Sequence, residues 1–337
     1  MITADALFEK LSHVTLGGTI CRYSKDTCAT LAPQINAINA LKAQKNAIIL
    51  AHSYVAPEIV YGVADHVGDS FELSKIAQST SSDIIIFAAV KFMAETAKVL
   101  NPTKRVFIPS QINGCSLADS ITVEGVQILR HTYPDHAFIC YINTSAAVKA
   151  HCDCTVTSSN VYTIVEKYPN DRIYFLPDRL MGQNIANHLQ SIGSTKIFDY
   201  YTGTCYVHEE YDPDMIAYIR SKHPQAAIVA HPECQPAIVD QATFVGSTSQ
   251  MIQYVKTTTH DQYVLLTECG LTARLQAEEP QKQFIGSCTM CRYMKSNTLD
   301  HIQQCLESPH PSSEIHLDDA TIQGANQSLA AMFRYAS

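Results

Sequence analysis

The sequence of 337 residues has no tryptophan, and only 17% of its residues are charged. Lys and Arg number 24 against 32 Asp and Glu, which gives a formal net charge of -8. Because a nucleic-acid backbone is bound by a dense basic surface, this composition argues against nucleic acid as a partner. Hydrophobic residues make up 46% of the chain, enough for a large buried core, so general disorder is not expected either.

Long uninterrupted apolar runs are also missing. The best one, from Ile84 to Ala94, contains Lys91, and the residues after Met1 lack the basic-then-apolar pattern of a secretion signal. We therefore expect a cytoplasmic protein with no membrane span. Twelve cysteines are many for such a protein. Since a chain of this size folds without disulfides, we expect free thiols, some of which bind metal.

Three apolar segments that end in polar residues recur about every 90 residues. They are AIILAHSY, AFICYINT and AIVAHPEC, and their matched polar positions are His52, Tyr141 and His231. Each segment has the pattern of a buried parallel strand. Small-polar turns typical of helix starts follow in each repeat, and then the second strand-like runs DIIIFAAV, RIYFLPD and YVLLTEC.

Strands that alternate with helices predict parallel sheets covered by helices, and a repeat of this length indicates triplicated domains. We therefore predict an α/β fold of three similar α/β/α domains, arranged with pseudo-threefold symmetry around a central active site. The predicted domains are residues 1–113, 114–203 and 204–287, with residues 288–337 packing back on the first. Ligand sites in such sheets lie at the carboxyl ends of the strands.

Each repeat also has a cysteine beside a glycine, at Cys115, at Cys205 and in the CxxC of Cys288 and Cys291. One thiolate from each repeat would suit a metal centre with an open position. Zinc and copper(I) accept thiolates too, and ordinary buried thiols are the alternative at Cys115 and Cys205. The CxxC alone fits half a zinc knuckle, a redox pair or one cluster ligand.

The turns and strand ends carry the remaining candidate groups. The turns Asp69-Ser70, Ser158-Ser159 and Ser247-Thr248 offer hydroxyls and helix N-termini, which suit anions, although plain helix capping is the alternative for each. The strand ends supply groups for proton transfer, with a structural role as the alternative: His52, Tyr54, Tyr141, His231 and Glu233. His208, three residues after Cys205, suits the same centre or its surroundings.

Many segments, among them GDSFELSKIA, FMAETAKVLNP, GCSLAD, YINTSAAVKA, FLPD, VHEE, HPEC and CxxCxYMKxNTL, together resemble the quinolinate synthase family. The similarity runs from about His52 to Leu299. It implies three similar α/β domains around a central cavity and a [4Fe-4S] cluster with one open iron. The three ligands of this cluster would be Cys115, Cys205 and Cys291. Cys288 is then an extra thiol, for which a regulatory disulfide with Cys291 is a hypothesis.

The resemblance also implies the reaction, in which iminoaspartate and dihydroxyacetone phosphate condense to quinolinate, phosphate and water. An open iron would act as a Lewis acid, and an L-aspartate oxidase would supply the imine. Tyr54 and Glu233 would be the leading acid/base groups, with His52, His231 and Tyr141 also handling protons. The residues that the resemblance assigns to substrate binding are His52, Ser70, Tyr141, Asn143, Ser158, His208, His231, Glu233, Ser247 and Thr248.

The chain departs from the family pattern beside Tyr54, where Ser53 and Val55 replace polar or aromatic residues, and before FMAE, where Lys91 stands. Two alternatives to the family reaction stay open. One is another hydro-lyase that uses the same open iron on a different hydroxy acid. The other is a cluster-bearing redox sensor whose CxxC is the functional element, which predicts no turnover.

Overall fold

The structure, a computed structural model, describes residues 1–15, 23–286 and 289–336. Within these ranges the chain forms three parallel sheets of four strands each, with helices packed against them. The predicted α/β fold of three similar units is confirmed. Every helix in the described ranges is too short or too polar to cross a membrane.

The first sheet follows two N-terminal helices. Its strands are β1 (Ala47–His52), β2 (His66–Gly68), β3 (Ile84–Ala88) and β4 (Arg105–Phe107). The helices of this part of the chain are α1 (Ala4–Leu11), α2 (Lys25–Gln44), α3 (Pro57–Gly62), α4 (Ser70–Ser79) and α5 (Lys91–Leu100). The helix α2 buries Ile35 and Ile38 on one face.

The second sheet repeats this pattern. Its strands are β5 (Ala137–Tyr141), β6 (Cys154–Val156), β7 (Arg172–Leu176) and β8 (Ile197–Tyr200). A single 3-10 turn, Ala118–Ser120, precedes the helices α6 (Val123–Thr132), α7 (Ala146–Lys149), α8 (Val161–Lys167) and α9 (Arg179–Ser191). The helix α8 starts only at Val161, after the predicted helix-start turn Ser158-Ser159, because the Asn160 side chain accepts the Thr157 N–H (2.7 Å) and holds a separate turn there.

The third sheet completes the series. Its strands are β9 (Ala227–Ala230), β10 (Phe244–Val245), β11 (Gln262–Leu266) and β12 (Gln283–Phe284). Its helices are α10 (Tyr206–Glu209), α11 (Pro213–Lys222), α12 (Pro236–Val239), α13 (Thr248–Thr257) and α14 (Cys269–Glu278). The remaining elements are α15 (Arg292–Lys295), α16 (Leu299–Glu307), a 3-10 turn at Pro311–Ser313, and α17 (Asp319–Tyr335).

All three sheets have the same strand order, in which the first strand lies between the second and the third, and the fourth lies beyond the third. The same side-chain contact also recurs beside each central strand. A residue just before the neighbouring strand accepts a central-strand N–H: Asp65 from Ile49 (2.8 Å), Asp153 from Phe138 (2.7 Å) and Thr243 from Ile228 (3.1 Å). The period seen in the sequence is therefore a repeat of backbone geometry.

The core is divided by the alternation of side chains along the central strands. Ile139 of the second sheet and Val229 of the third belong to one large apolar cluster that also fills the first sheet. Their neighbours Phe138 and Ile228 point the other way, into two smaller clusters that cover the opposite faces of those sheets. One common core therefore joins the three units, as the period-2 alternation of strand side chains requires.

The C-terminal helices pack on two different units. The helix α16 packs on α2, and Thr298 caps it by accepting the His301 N–H (3.2 Å). The helix α17 packs mainly on β6 and α7 of the second sheet and also contacts α5. The domain limits 113/114, 203/204 and 287/288 stay a prediction.

The close approach of α9 to β8 leads to a stability prediction. A Cβ at Gly182 would lie 2.6 Å from the Cβ of Tyr200, which cannot move without its strand. We expect Gly182→Ala to lower the free energy of unfolding by about 1–3 kcal/mol, although alanine favours a helix over glycine by about 1 kcal/mol. Urea unfolding followed by circular dichroism measures the change.

Gly286→Ala is the matched control, since a Cβ there has no neighbour within 4 Å among the residues that the structure describes. Its effect should stay within about 0.5 kcal/mol. An equal effect of the two substitutions would contradict the role given to the contact between Gly182 and Tyr200.

Candidate active site

The carboxyl ends of the three central strands open into one cavity of about 680 Å³. The last residues of β1 and β5, His52 and Tyr141, and the residue after β9, His231, all line it. In each sheet the second strand lies on one side of the first strand and the third strand lies on the other, so the strand order reverses between the first and third strands. Open parallel sheets bind ligands at such a reversal. The three repeats therefore direct their ligand-binding edges at one place.

The loops after these strands present matched residues to the cavity. Tyr54, Asn143 and Glu233, each two residues beyond a matched strand end, all line it. The Tyr54 N–H donates to Nδ1 of His52 (3.2 Å), and the Glu233 N–H donates to Nδ1 of His231 (3.4 Å). Both imidazoles are therefore held by the backbone of the loop that follows their strand.

Burial also keeps both of these imidazoles uncharged at neutral pH. It lowers the pKa of His52 to about 4 and the pKa of His231 to about 3, although nearby carboxylates oppose the shift. Because removing a charged group from water disfavours its charged form, both rings are neutral at pH 7. Neutral imidazoles can accept a proton at one nitrogen and donate from the other.

Glu233 is the buried carboxylate of the cavity. Its Oε1 accepts the Tyr141 hydroxyl (2.7 Å), and its Oε2 lies 3.1 Å from Nδ1 of His208. Burial alone would raise the pKa of this carboxyl, but the imidazoles of His208 and His231 and the bond from Tyr141 outweigh it, and the net shift is downward. Glu233 is therefore ionised at neutral pH, the state in which a carboxyl can accept a proton.

Tyr54 is the buried hydroxyl on the opposite side of this polar network. Its hydroxyl lies 2.9 Å from Oγ1 of Thr248 and 2.6 Å from Oγ1 of Thr267. Burial raises the pKa of Tyr54 well above its ordinary value, so the hydroxyl keeps its proton. Since Nε2 of His208 also reaches Thr267 (3.0 Å), a continuous polar chain runs from Tyr54 through Thr267 and His208 to Glu233.

The predicted anion-binding turns reach the cavity to different extents. Ser70, Ser158 and Thr248 line it, together with Asn143. Ser247 is fully buried behind the wall, where it caps α13 and donates to the Asp69 carboxylate (3.3 Å). Ser247 is the one predicted substrate-binding residue that the structure does not place on the described part of the wall.

The three predicted cysteine ligands also line the cavity. The same backbone hydrogen bond positions each of them, from the first residue of a helix to the carbonyl two residues before the cysteine. The three bonds are Lys91 N–H to Asn113 (2.7 Å), Arg179 N–H to Gly203 (2.7 Å) and Cys269 N–H to Thr289 (3.2 Å). Cys115, Cys205 and Cys291 therefore hold equivalent places in the three repeats.

The thiols are free, and the Cys115 thiol lies close enough to the other two to interact with them electrostatically. Burial raises the pKa of Cys115 to about 12, and it also raises the pKa values of Cys205 and Cys291. A charge on Cys291 would raise the pKa of Cys115 further, and one on Cys115 would do the same for Cys205. Three partly buried thiols on one wall are a donor set that fits a soft metal or an iron–sulfur cluster.

Cys288, the other member of the CxxC, lies outside the described residues, and the disulfide hypothesis with it.

The departures from the family pattern lie behind the wall. Ser53 is fully buried and accepts a hydrogen bond from the Arg274 guanidinium (2.7 Å), and Lys91 pairs with Glu95 (3.8 Å) near the surface. Neither side chain lines the cavity in the described part of the chain.

Glu268 and Lys295 were not predicted from the sequence, yet they connect the third cysteine to Tyr54. Glu268 is fully buried on the cavity wall, where Oε1 accepts the Cys291 N–H (3.1 Å) and Oε2 accepts the Gly270 N–H (2.6 Å). The Lys295 ammonium lies 3.1 Å from Glu268 and donates to the Tyr54 carbonyl (2.5 Å). The repeat contained the signal, because Asp178 caps α9 as Glu268 caps α14.

The fold and the cavity define a three-unit α/β enzyme with one shared, thiol-lined active site. A family profile described as "Quinolinate synthetase A protein" matches residues 36–334. Quinolinate synthase 2 of Mesorhizobium japonicum is 46% identical over 276 residues, which are 82% of this chain and 84% of that protein. Quinolinate synthase of Agrobacterium fabrum is 40% identical over 333 residues, 99% of this chain and 92% of that protein. The chain belongs to the quinolinate synthase family.

The Glu268–Lys295 pair gives a stability prediction. Glu268→Gln keeps the shape of the side chain but leaves the Lys295 ammonium without its buried carboxylate. Because removing one partner of a largely buried ion pair is destabilising, we expect the free energy of unfolding to fall by about 2–4 kcal/mol. Chemical unfolding of the purified variant measures it.

The control is Glu314→Gln, which removes the carboxylate from a pair with Arg105 (2.6 Å) whose guanidinium side chain is 55% exposed. Pairs of this kind contribute about 1 kcal/mol or less. If the Glu268 variant were no less stable than this control, the buried pair would not have the structural role assigned to it.

Proposed function

We propose that this chain condenses iminoaspartate with dihydroxyacetone phosphate to give quinolinate, phosphate and two molecules of water. Membership of the quinolinate synthase family supports the overall reaction. The observation that carries the proposal is the equivalent placement of Cys115, Cys205 and Cys291 beside buried acid and base groups in one cavity. A redox sensor would not need the polar chain from Tyr54 to Glu233.

We propose further that the three thiolates hold a [4Fe-4S] cluster with one iron that has no protein ligand. When bound, the cluster supplies a Lewis acid that polarises a substrate oxygen or nitrogen and assists loss of hydroxide. Support comes from the free state of the thiols, their mutual proximity and their symmetric delivery by three repeats. Cysteine thiolates are the usual ligands of such clusters.

The proton transfers are assigned to the chain's own groups. Glu233 is ionised and accepts protons from carbon or nitrogen of the substrates, and Tyr54 returns a proton to a leaving hydroxyl. The neutral imidazoles of His52 and His231, which line the same wall, take up and release protons between these steps. The path through Thr267 and His208 lets a proton pass between Tyr54 and Glu233 without bulk water.

The substrates carry a phosphate and carboxylates, and we propose that neutral donors hold them. None of the described residues that line the cavity is a lysine or arginine. Hydroxyls of Ser70, Ser158 and Thr248 and the amide of Asn143 are available on the wall. Neutral donors let the anionic product leave more easily. The free energy needed to break a hydrogen bond between a neutral donor and an anion is smaller than that needed to separate a buried ion pair.

We also propose that an L-aspartate oxidase in the same cytoplasmic compartment supplies iminoaspartate. Imines hydrolyse in water, so the donor must be made near the enzyme and used quickly. A lasting complex between the two enzymes is not required for this coupling.

The cluster assignment predicts the behaviour of single cysteine variants. After anaerobic purification, Cys115→Ser, Cys205→Ser and Cys291→Ser should each contain less than half of the wild-type iron and form no measurable quinolinate. Cys288→Ser, the neighbouring thiol of the CxxC, is the control and should keep both. Iron and sulfide assays and chromatographic detection of quinolinate are the measurements.

The outcomes separate the alternatives. Full activity of any of the three variants would refute the ligand assignment. A wild-type protein with a complete cluster but no quinolinate from the two substrates would favour the other hydro-lyase or the redox sensor.

Tyr54→Phe tests the proton donor. We expect kcat to fall by about 10²–10⁴ because general acid catalysis is lost, while the iron content stays unchanged. Tyr61→Phe is the control, because that partly buried hydroxyl bonds Glu278 (3.2 Å) and lies outside the described wall of the cavity. A kcat of Tyr54→Phe within twofold of wild type would exclude Tyr54 as the acid.

A further inference from the structure

The cavity wall contains a second set of metal-binding atoms that overlaps the three thiols at one residue. The set is Cys205, His208 and Glu233, whose ligand atoms all lie within 4.8 Å of one another. Cys205 and His208 lie at the two ends of one helical turn, where the His208 N–H donates to the Cys205 carbonyl (3.1 Å). The loop after β9 brings Glu233 to them.

The side chains of His208 and Glu233, which would bind a metal together with Cys205, are already fixed by hydrogen bonds to neighbouring residues. Nε2 of His208 lies 3.0 Å from the Thr267 hydroxyl, which leaves Nδ1 directed at Oε2 of Glu233, 3.1 Å away. The other oxygen of Glu233 accepts the Tyr141 hydroxyl (2.7 Å). Metal sites in proteins fix their imidazole and carboxylate ligands by such outer hydrogen bonds.

The side chains are also buried, with His208 and Glu233 each 3% exposed. One side of the set faces the cavity, since all three residues line it. A cation there would have three protein ligands and one position open to water or a small molecule. Three ligands of the Cys, His and carboxylate types with one open position are typical of zinc.

We propose that the chain without its cluster binds one zinc ion through Cys205, His208 and Glu233. The thiolate and the imidazole favour zinc over magnesium or calcium, which prefer oxygen ligands only. The site uses only the thiol of the second repeat and needs neither Cys115 nor Cys291.

A second part of the inference rests on the proposed function. Cys205 belongs both to this set and to the three proposed cluster ligands, so zinc and the cluster exclude each other. Zinc would also occupy His208 and Glu233, which the reaction needs. Zinc bound before assembly therefore keeps the enzyme in an inactive, cluster-free form.

The binding test uses the full chain from which iron and sulfide have been removed, and the probes are Zn²⁺ and Co²⁺ alone. The wild-type chain should bind one Zn²⁺, and Cys205→Ser, His208→Ala and Glu233→Gln should each weaken binding at least tenfold. Bound Co²⁺ should show an ultraviolet band from thiolate to metal that is absent in Cys205→Ser. Cys115→Ser and Cys291→Ser are the matched controls and should bind Zn²⁺ as wild type does.

Thermal unfolding distinguishes a variant that has lost the zinc site from one that has lost its folded structure. Metal-free His208→Ala and wild type are compared first, and then Zn²⁺ is added to both. A ligand that binds the folded chain raises its Tm, so Zn²⁺ should raise the Tm of wild type, Cys115→Ser and Cys291→Ser but not that of His208→Ala. Equal loss of Zn²⁺ in Cys115→Ser would show that the three thiols bind zinc together, and undiminished binding by His208→Ala would equally overturn the proposed site.

A reconstitution experiment tests exclusion. One equivalent of Zn²⁺ added before iron and sulfide should reduce the iron taken up by wild type to less than half, whereas His208→Ala should take up its full amount. Equal uptake by wild type with and without Zn²⁺ would overturn the exclusion. If the wild type takes up no iron even without Zn²⁺, the cluster proposal fails, and the Zn²⁺ titration still decides the zinc site.

Discussion

The structure depends on one backbone contact that is made three times. In each repeat the first N–H of a helix donates to the carbonyl two residues before a cysteine, which fixes that cysteine at the carboxyl edge of its sheet. A backbone bond of this kind constrains the chain whatever the side chains are. Since the three sheets share one core, their edges converge, and thiols roughly 90 residues apart in sequence come to one wall.

Burial then sets the protonation of the groups around that wall. It keeps the hydroxyls of Tyr54 and Tyr141 protonated and the imidazoles of His52 and His231 neutral, while the contacts of Glu233 keep that carboxyl ionised. The cavity thus offers acids and a base together at neutral pH. Different environments for similar groups are how a single site performs both kinds of proton transfer.

The sequence predicted what is repeated and missed what is unique to one unit. Buried central strands are continuous apolar runs, so the three strand ends and the cysteines could be found from their common period. The start of α8 could not, because it depends on the Asn160 side chain. The Glu268–Lys295 pair joins residues that are 27 positions apart, and the bond from Ser247 to Asp69 joins residues that are 178 positions apart. The local sequence around each residue does not indicate contacts at such separations.

The most direct test of the account is a crystal structure determined without oxygen, with anomalous diffraction data collected at the iron absorption edge. The account predicts one group of iron atoms bonded to the sulfurs of Cys115, Cys205 and Cys291, with one iron facing the cavity and bound by no side chain. Iron held by a fourth side chain, or these three sulfurs on separate metals, would contradict it.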